Sequence, residues 1–148
     1  MEDLLYTAPL SEYEEDVLLP IMVECLKNKK GIESAVCNSY MCSRLKSRGY
    51  DVSSARIRKI INRIRTGHHI DCLVASSKGY YITDKVYEMS SYIESLKGRE
   101  DAIRYVREAM EEQLDRLRKN IQIQQNQAKV NVKSEEVEGQ EQKTTSTR

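Results

Sequence analysis

Apolar residues first recur at helical spacing at Val17, Leu18, Ile21, Met22, Cys25 and Leu26, which makes one stripe along a helix. Ser11 and Glu14 have the Ser-x-x-Glu spacing of a capping box, so this helix starts near Glu12. Gly31 stops it, and Pro20, which lacks a backbone donor, kinks or splits it near Leu18–Leu19. Residues 1–10 ahead of it read as a flexible arm. A second helical segment over Ser39–Ser47 takes Asn38 as its N-cap and has Gly49 just beyond its end. Ser53 caps a third helix, in which Ile57, Ile60, Ile61 and Ile64 follow the i, i+3, i+4, i+7 pattern of one buried face. Gly67 ends it.

The period then changes. Ile70 to Ala75 is short and apolar, Ser76-Ser77-Lys78-Gly79 is a turn, and Tyr80 to Thr83 is a second β-prone run; together they predict a hairpin. Of Tyr80 and Tyr81, one should pack inward and one outward. Asp84 can cap a long helix from Lys85 to about Ile121. Its apolar positions are Val86, Met89, Ile93, Leu96, Ile103, Val106, Met110, Leu114, Leu117 and Ile121. Steps of mostly 3 and 4 mark a narrow stripe of the coiled-coil kind. The stripe is roughly 54 Å long at 1.5 Å per residue, more than a small domain covers, so a homodimer through helix 85–121 is expected. Gly98 is its weak point. Residues 122–148 are Gln-rich, then Lys/Glu-rich, and carry too little apolar surface to offset ordering, which predicts a disordered tail. The fold class is therefore mainly α with one small β-hairpin. Residues 11–84 form the domain.

Net charge over the 148 residues is only +1, but its distribution is uneven. Residues 1–26 carry 7 acids and no base, whereas residues 27–70 carry 11 bases and 2 acids. A basic block of this kind suits an acidic partner, most often nucleic acid; a solvated basic face is the plain alternative. No apolar run reaches the ~18–20 residues of a membrane helix. The start of the chain lacks the basic and apolar regions of a signal peptide. A cytoplasmic protein with no membrane contact, in a bacterial or phage-infected cell, is the expectation. The cysteines Cys25, Cys37, Cys42 and Cys72 are then reduced.

Helix, helix, short turn, basic helix, hairpin, helix is the order of a winged helix-turn-helix. The stretch VSSARIRKIINRIRTGHHIDCLVASSKGYYIT (Val52–Thr83) resembles the recognition helix and wing of that family. It is most similar to the small bacterial and phage type represented by the amino-terminal domain of the biotin repressor. The resemblance covers Val17–Thr83 and implies duplex-DNA binding, with the third helix in the major groove. On a helical wheel the isoleucines face inward, and Ala55, Lys59, Asn62 and Thr66 face outward, flanked by Arg56, Arg58 and Arg63. Arg can grip guanine and Asn adenine in bidentate fashion. Lys59 and Arg65 are phosphate candidates, as are Ser53 and Ser54 at the helix N-terminus. Lys78 at the hairpin tip and Arg44, Lys46 and Arg48 on the second helix extend the basic surface.

Cys37, Cys42, His68 or His69, and Cys72 have a spacing that zinc can use, but there is no Cys-x-x-Cys pair. Free thiols packed as small apolar groups are the preferred reading, with no metal and no cofactor. The sequence has no glycine-rich phosphate loop and no nucleophile–base spacing, so nothing supports an enzyme. Two functions remain. One is a duplex-DNA-binding protein, a transcriptional regulator or a phage or mobile-element DNA-handling protein. The other is a protein-interaction winged helix that acts through its long C-terminal helix.

Overall fold

The computed structural model describes residues 8–145. The arm expected over residues 1–10 and the tail expected over 122–148 fall partly outside this range, at residues 1–7 and 146–148. The described chain divides into a unit ending at Leu96 and a second beginning at Lys97.

In the first unit the capping box forms as the spacing requires. Ser11 N–H donates to Glu14 Oε1 and Glu14 N–H to Ser11 Oγ, both at 3.1 Å. A π-helical turn, Glu14–Leu18, leads directly into α1, Leu19–Leu26. The change of winding falls just before Pro20, where the missing donor and the pyrrolidine ring disfavour an ordinary helical turn. A 3-10 turn, Ile32–Ser34, connects to α2, Asn38–Ser47. The N-cap of α2 is Cys37, one residue before the expected Asn38. Asn38 instead reaches across to the next helix, its Nδ2 donating to Ser54 Oγ at 3.2 Å. Helix α3, Ser54–Thr66, is capped by Ser53, whose Oγ accepts from Arg56 N–H.

The core forms where these helices meet. Leu18, Leu19, Met22 and Leu26 pack with Met41 and Leu45 of α2 and with Ile57, Ile60, Ile61 and Ile64 of α3, all four isoleucines being fully buried. Strands β1, Leu73–Ser76, and β2, Gly79–Ile82, pair antiparallel with Ser76 opposite Gly79, which leaves Ser77 and Lys78 as the loop. Tyr81 is buried, and Tyr80 packs against the edge of the core.

One element had no signal in the sequence. The outer edge of β2 is paired by the segment between α1 and α2. Val36 N–H donates to Tyr80 O, and Tyr80 N–H donates back to Val36 O. Farther along, Gly31 N–H donates to Ile82 O, and Ile82 N–H donates to Lys29 O. This pairing occupies an edge that would otherwise present unpaired backbone groups. It also explains Gly79. Its φ is +122°, and a Cβ there would lie 2.2 Å from Val36 O.

Helix α4 runs Val86–Thr145. At its entry the side-chain oxygen is that of Thr83, not Asp84: Thr83 Oγ1 accepts from Lys85 N–H at 3.1 Å. The helix runs on past the expected end at Ile121, through residues 122–145, where a disordered tail was expected. The segment has no proline and is rich in Gln, Glu and Lys. These side chains lose little freedom in a helix, and the backbone hydrogen bonds are local. No helix among the described residues is long and apolar enough to cross a membrane.

Candidate nucleic-acid interface

Helix α3 contains Arg56, Arg58, Lys59, Arg63 and Arg65 and no acidic residue. Its buried isoleucine face divides these side chains between two flanks, and the neighbours of the two flanks differ.

Arg56 and Arg63 lie on the flank toward the first helical segment, which carries acids. Arg56 is not an outward residue. Its Nε donates to Glu14 Oε2 at 2.8 Å and its Nη2 to Glu14 Oε1 at 2.5 Å. The side chains are only 16% and 11% exposed, respectively. The same guanidinium donates to Ala8 O and Pro9 O, each at 3.0 Å. These bonds hold Ala8 and Pro9 against the domain, so residues 8–10 are not a loose arm, and Leu10 packs on the core. The Arg56 guanidinium holds the Glu14 carboxyl below its ordinary value of 4.5, and the bonds from Ser11 act in the same direction. The base contact expected of Arg56 is therefore replaced by a structural ion pair. Arg63 is 3.5 Å from Glu15, with both side chains about half exposed. An exposed pair of this kind contributes under about 1 kcal/mol and leaves the guanidinium able to exchange partners.

Arg58 and Arg65 lie on the flank toward the hairpin. Arg65, expected to meet phosphate, is a clamp. Its Nε donates to Leu73 O at 2.8 Å. Its guanidinium lies 5.0 Å from the ring centroid of Tyr92 and 5.6 Å from that of Tyr80. The clamp thus ties α3 to β1, β2 and the start of α4. Arg58 is exposed.

Lys59 is half-buried. Asn62 is exposed, and its Oδ1 accepts from Arg65 Nη1 at a long 3.3 Å. Ser53 and Ser54 are exposed at the head of α3, each hydroxyl oxygen already accepting one internal bond; a hydroxyl also carries a donor. Lys46 and Arg44 are exposed in the last turn of α2, and Arg44 lies 5.9 Å from the Tyr40 ring centroid. Lys78 is exposed in the hairpin loop.

Cys25 and Cys42 are half-buried, but Cys37 and Cys72 are exposed, so packing as small apolar groups describes only the first two. Among the described residues no three His, Cys, Asp or Glu side chains are grouped to hold a metal ion. His68 Nδ1 is 3.3 Å from Asp71 Oδ1 in an exposed turn.

Two side-chain systems were missed in the sequence: the Glu14 anchor for Arg56, and the hydrogen bond from the Tyr81 hydroxyl to Glu88 Oε2, which pushes the tyrosine's ionisation up to about 12. The Ser11–Glu14 spacing signalled the cap but not the arginine. No family model matches this chain, and no curated protein or solved structure does either.

Proposed function

We propose that this chain binds duplex DNA and presents the outward face of α3 to the major groove. The observation that carries this reading is the charge of that face. Arg58 and Asn62 project from a helix without acidic residues, and the acids of the neighbouring helix are directed to the other flank, at Arg56 and Arg63. The order α2, turn, α3, β1, β2 and the extra edge pairing of Val36 on Tyr80 support a winged helix-turn-helix, in which the second helix of the pair enters the major groove. Arg58 then reads a guanine edge, Asn62 an adenine edge, and Arg44, Lys46 and Lys78 contact phosphates. Lys59, Arg63, Ser53 and Ser54 border the same surface. Transcriptional regulation and phage or mobile-element DNA handling both fit such a contact.

A fluorescence-anisotropy titration of a random-sequence duplex tests the reading. Arg44, Lys46 and Lys78, with the half-exposed Arg63 beside them, give about four phosphate contacts. They give a log–log salt slope near −3.6 and a loss of about 150-fold between 50 and 200 mM salt. Absence of binding at the lower salt, or an affinity indifferent to salt, refutes it. The exposed apolar side chains of α4 favour a second reading, a protein-interaction module. A chain that ignores both heparin and duplex DNA at moderate salt supports that one.

A further inference from the structure

Every described side chain from Lys97 to Gly139 is exposed. Met110, Leu114, Leu117 and Ile121 are among them, each between 44% and 57% exposed. They follow one another at steps of 4, 3 and 4, which is the seam of a heptad with Leu114 and Ile121 at a and Met110 and Leu117 at d. The same frame places Glu100, Arg107 and Ala128 at a, and Ile103, Gln124 and Asn131 at d. Helices draw most of their stability from covering an amphipathic face.

We propose that a second copy of this chain covers this seam, and that the two helices run antiparallel about a centre between Asp115 and Arg116. Charge decides the direction. A parallel, in-register pair sets each seam residue against itself, so Glu100 meets Glu100 and Arg107 meets Arg107. It also places Glu111 beside Val106 and Arg118 beside Gln113, with no flanking ion pair. Over Glu100 to Asn131 the antiparallel register sorts the seam by polarity; beyond it, Leu96 falls opposite the partner's Glu135. Leu114 meets the partner's Leu117, Met110 meets the partner's Ile121, and Ile103 meets the partner's Ala128. Arg107 meets the partner's Gln124, and Glu100 meets the partner's Asn131. On one flank Glu111 lies beside the partner's Arg118, twice by symmetry, and on the other Gln113 lies beside the partner's Asn120. No like charges face each other. Lys97 of the two copies then stands at opposite ends, roughly 55 Å apart at 1.5 Å per residue. Half-sites one helical turn apart would instead call for the two copies side by side.

Sedimentation equilibrium on the full chain tests the pairing and its direction with two variants, Glu111→Arg and Arg118→Glu. The wild type is expected to be dimeric at tens of micromolar. Each variant alone places like charges together on the flank twice and should weaken association about tenfold or more, about 1.4 kcal/mol. An equimolar mixture of the two variants restores both attractive pairs, so the mixture should dimerise about as well as the wild type. That recovery also excludes loss of folding as the cause. In the parallel arrangement neither substitution meets a charge, so both variants would remain dimeric. A monomeric wild type, variants that associate like the wild type, or a mixture that stays monomeric each overturns the proposal. DNA is absent from the experiment, so its outcome is separate from that of the DNA reading.

Discussion

Replacing Arg56 by alanine should unfold the first unit more easily, well before any effect on a ligand is considered. The guanidinium donates twice to Glu14 and once each to Ala8 O and Pro9 O, with the two side chains 16% and 11% exposed. Its removal leaves a nearly buried carboxylate with only the Ser11 cap for company. Breaking a buried pair on one side costs about 3–5 kcal/mol. The site is close to the surface, so we take the lower end, about 3 kcal/mol. At a urea slope near 1.5 kcal/mol/M, that lowers the midpoint by about 2 M. Tyrosine emission is the suitable probe, because Tyr50, Tyr80 and Tyr81 pack in or against the core whereas far-ultraviolet dichroism would be dominated by α4.

The same pair makes a pH signature. Arg56 depresses the folded-state ionisation of Glu14 below 4.5. Stability from the pair is thus fully present above the unfolded value and is lost as pH falls through the folded one. The gap between wild type and Arg56→Ala should therefore be widest near neutrality and narrow below pH 4.5. A double-mutant cycle with Glu14→Ala should return a coupling of about 1–3 kcal/mol at pH 7. A variant with an unchanged midpoint and weakened DNA binding would show that Arg56 works outward and that the ion pair contributes nothing.

Three further outcomes follow from individual contacts. Gly79→Ala should cost more than about 2 kcal/mol by urea unfolding, because the residue sits at φ +122° and its Cβ would strike Val36 O. Arg65→Ala should destabilise by about 2 kcal/mol, since it leaves Leu73 O unpaired and removes the contacts with Tyr80 and Tyr92; an unchanged midpoint would return Arg65 to the surface. Timed alkylation followed by peptide mass mapping should find Cys37 modified before Cys42. The bond with Ser39 lowers the exposed Cys37 thiol, and burial raises that of Cys42.

Whether a feature was legible in the sequence depended on the distance over which its cause acts. The Ser11–Glu14 box, the change of winding before Pro20, the isoleucine face and the hairpin turn are set by neighbours within a few positions, and each formed where the spacing placed it. Arg56 and Arg58 are two residues apart and looked equivalent, because both flank the outward face of one helix. What separates them is which flank the acidic first helix packs against, and that contact joins residues 42 positions apart. The charge blocks hinted at it: 7 acids without a base ahead of an 11-base block must meet somewhere in a small domain. Composition could not say which arginine would be consumed. The distal part of α4 reveals the opposite limit. Low apolar content argued that residues 122–145 could not bury a face, and their side chains are indeed exposed through Gly139. Backbone hydrogen bonds within a helix are local, however, and Gln, Glu and Lys do not resist them, so helical geometry there does not require a face buried within the same chain. Arg58 and Asn62 therefore carry the DNA reading, since both stay exposed on the side of α3 away from the acidic first helix and both can pair with base edges.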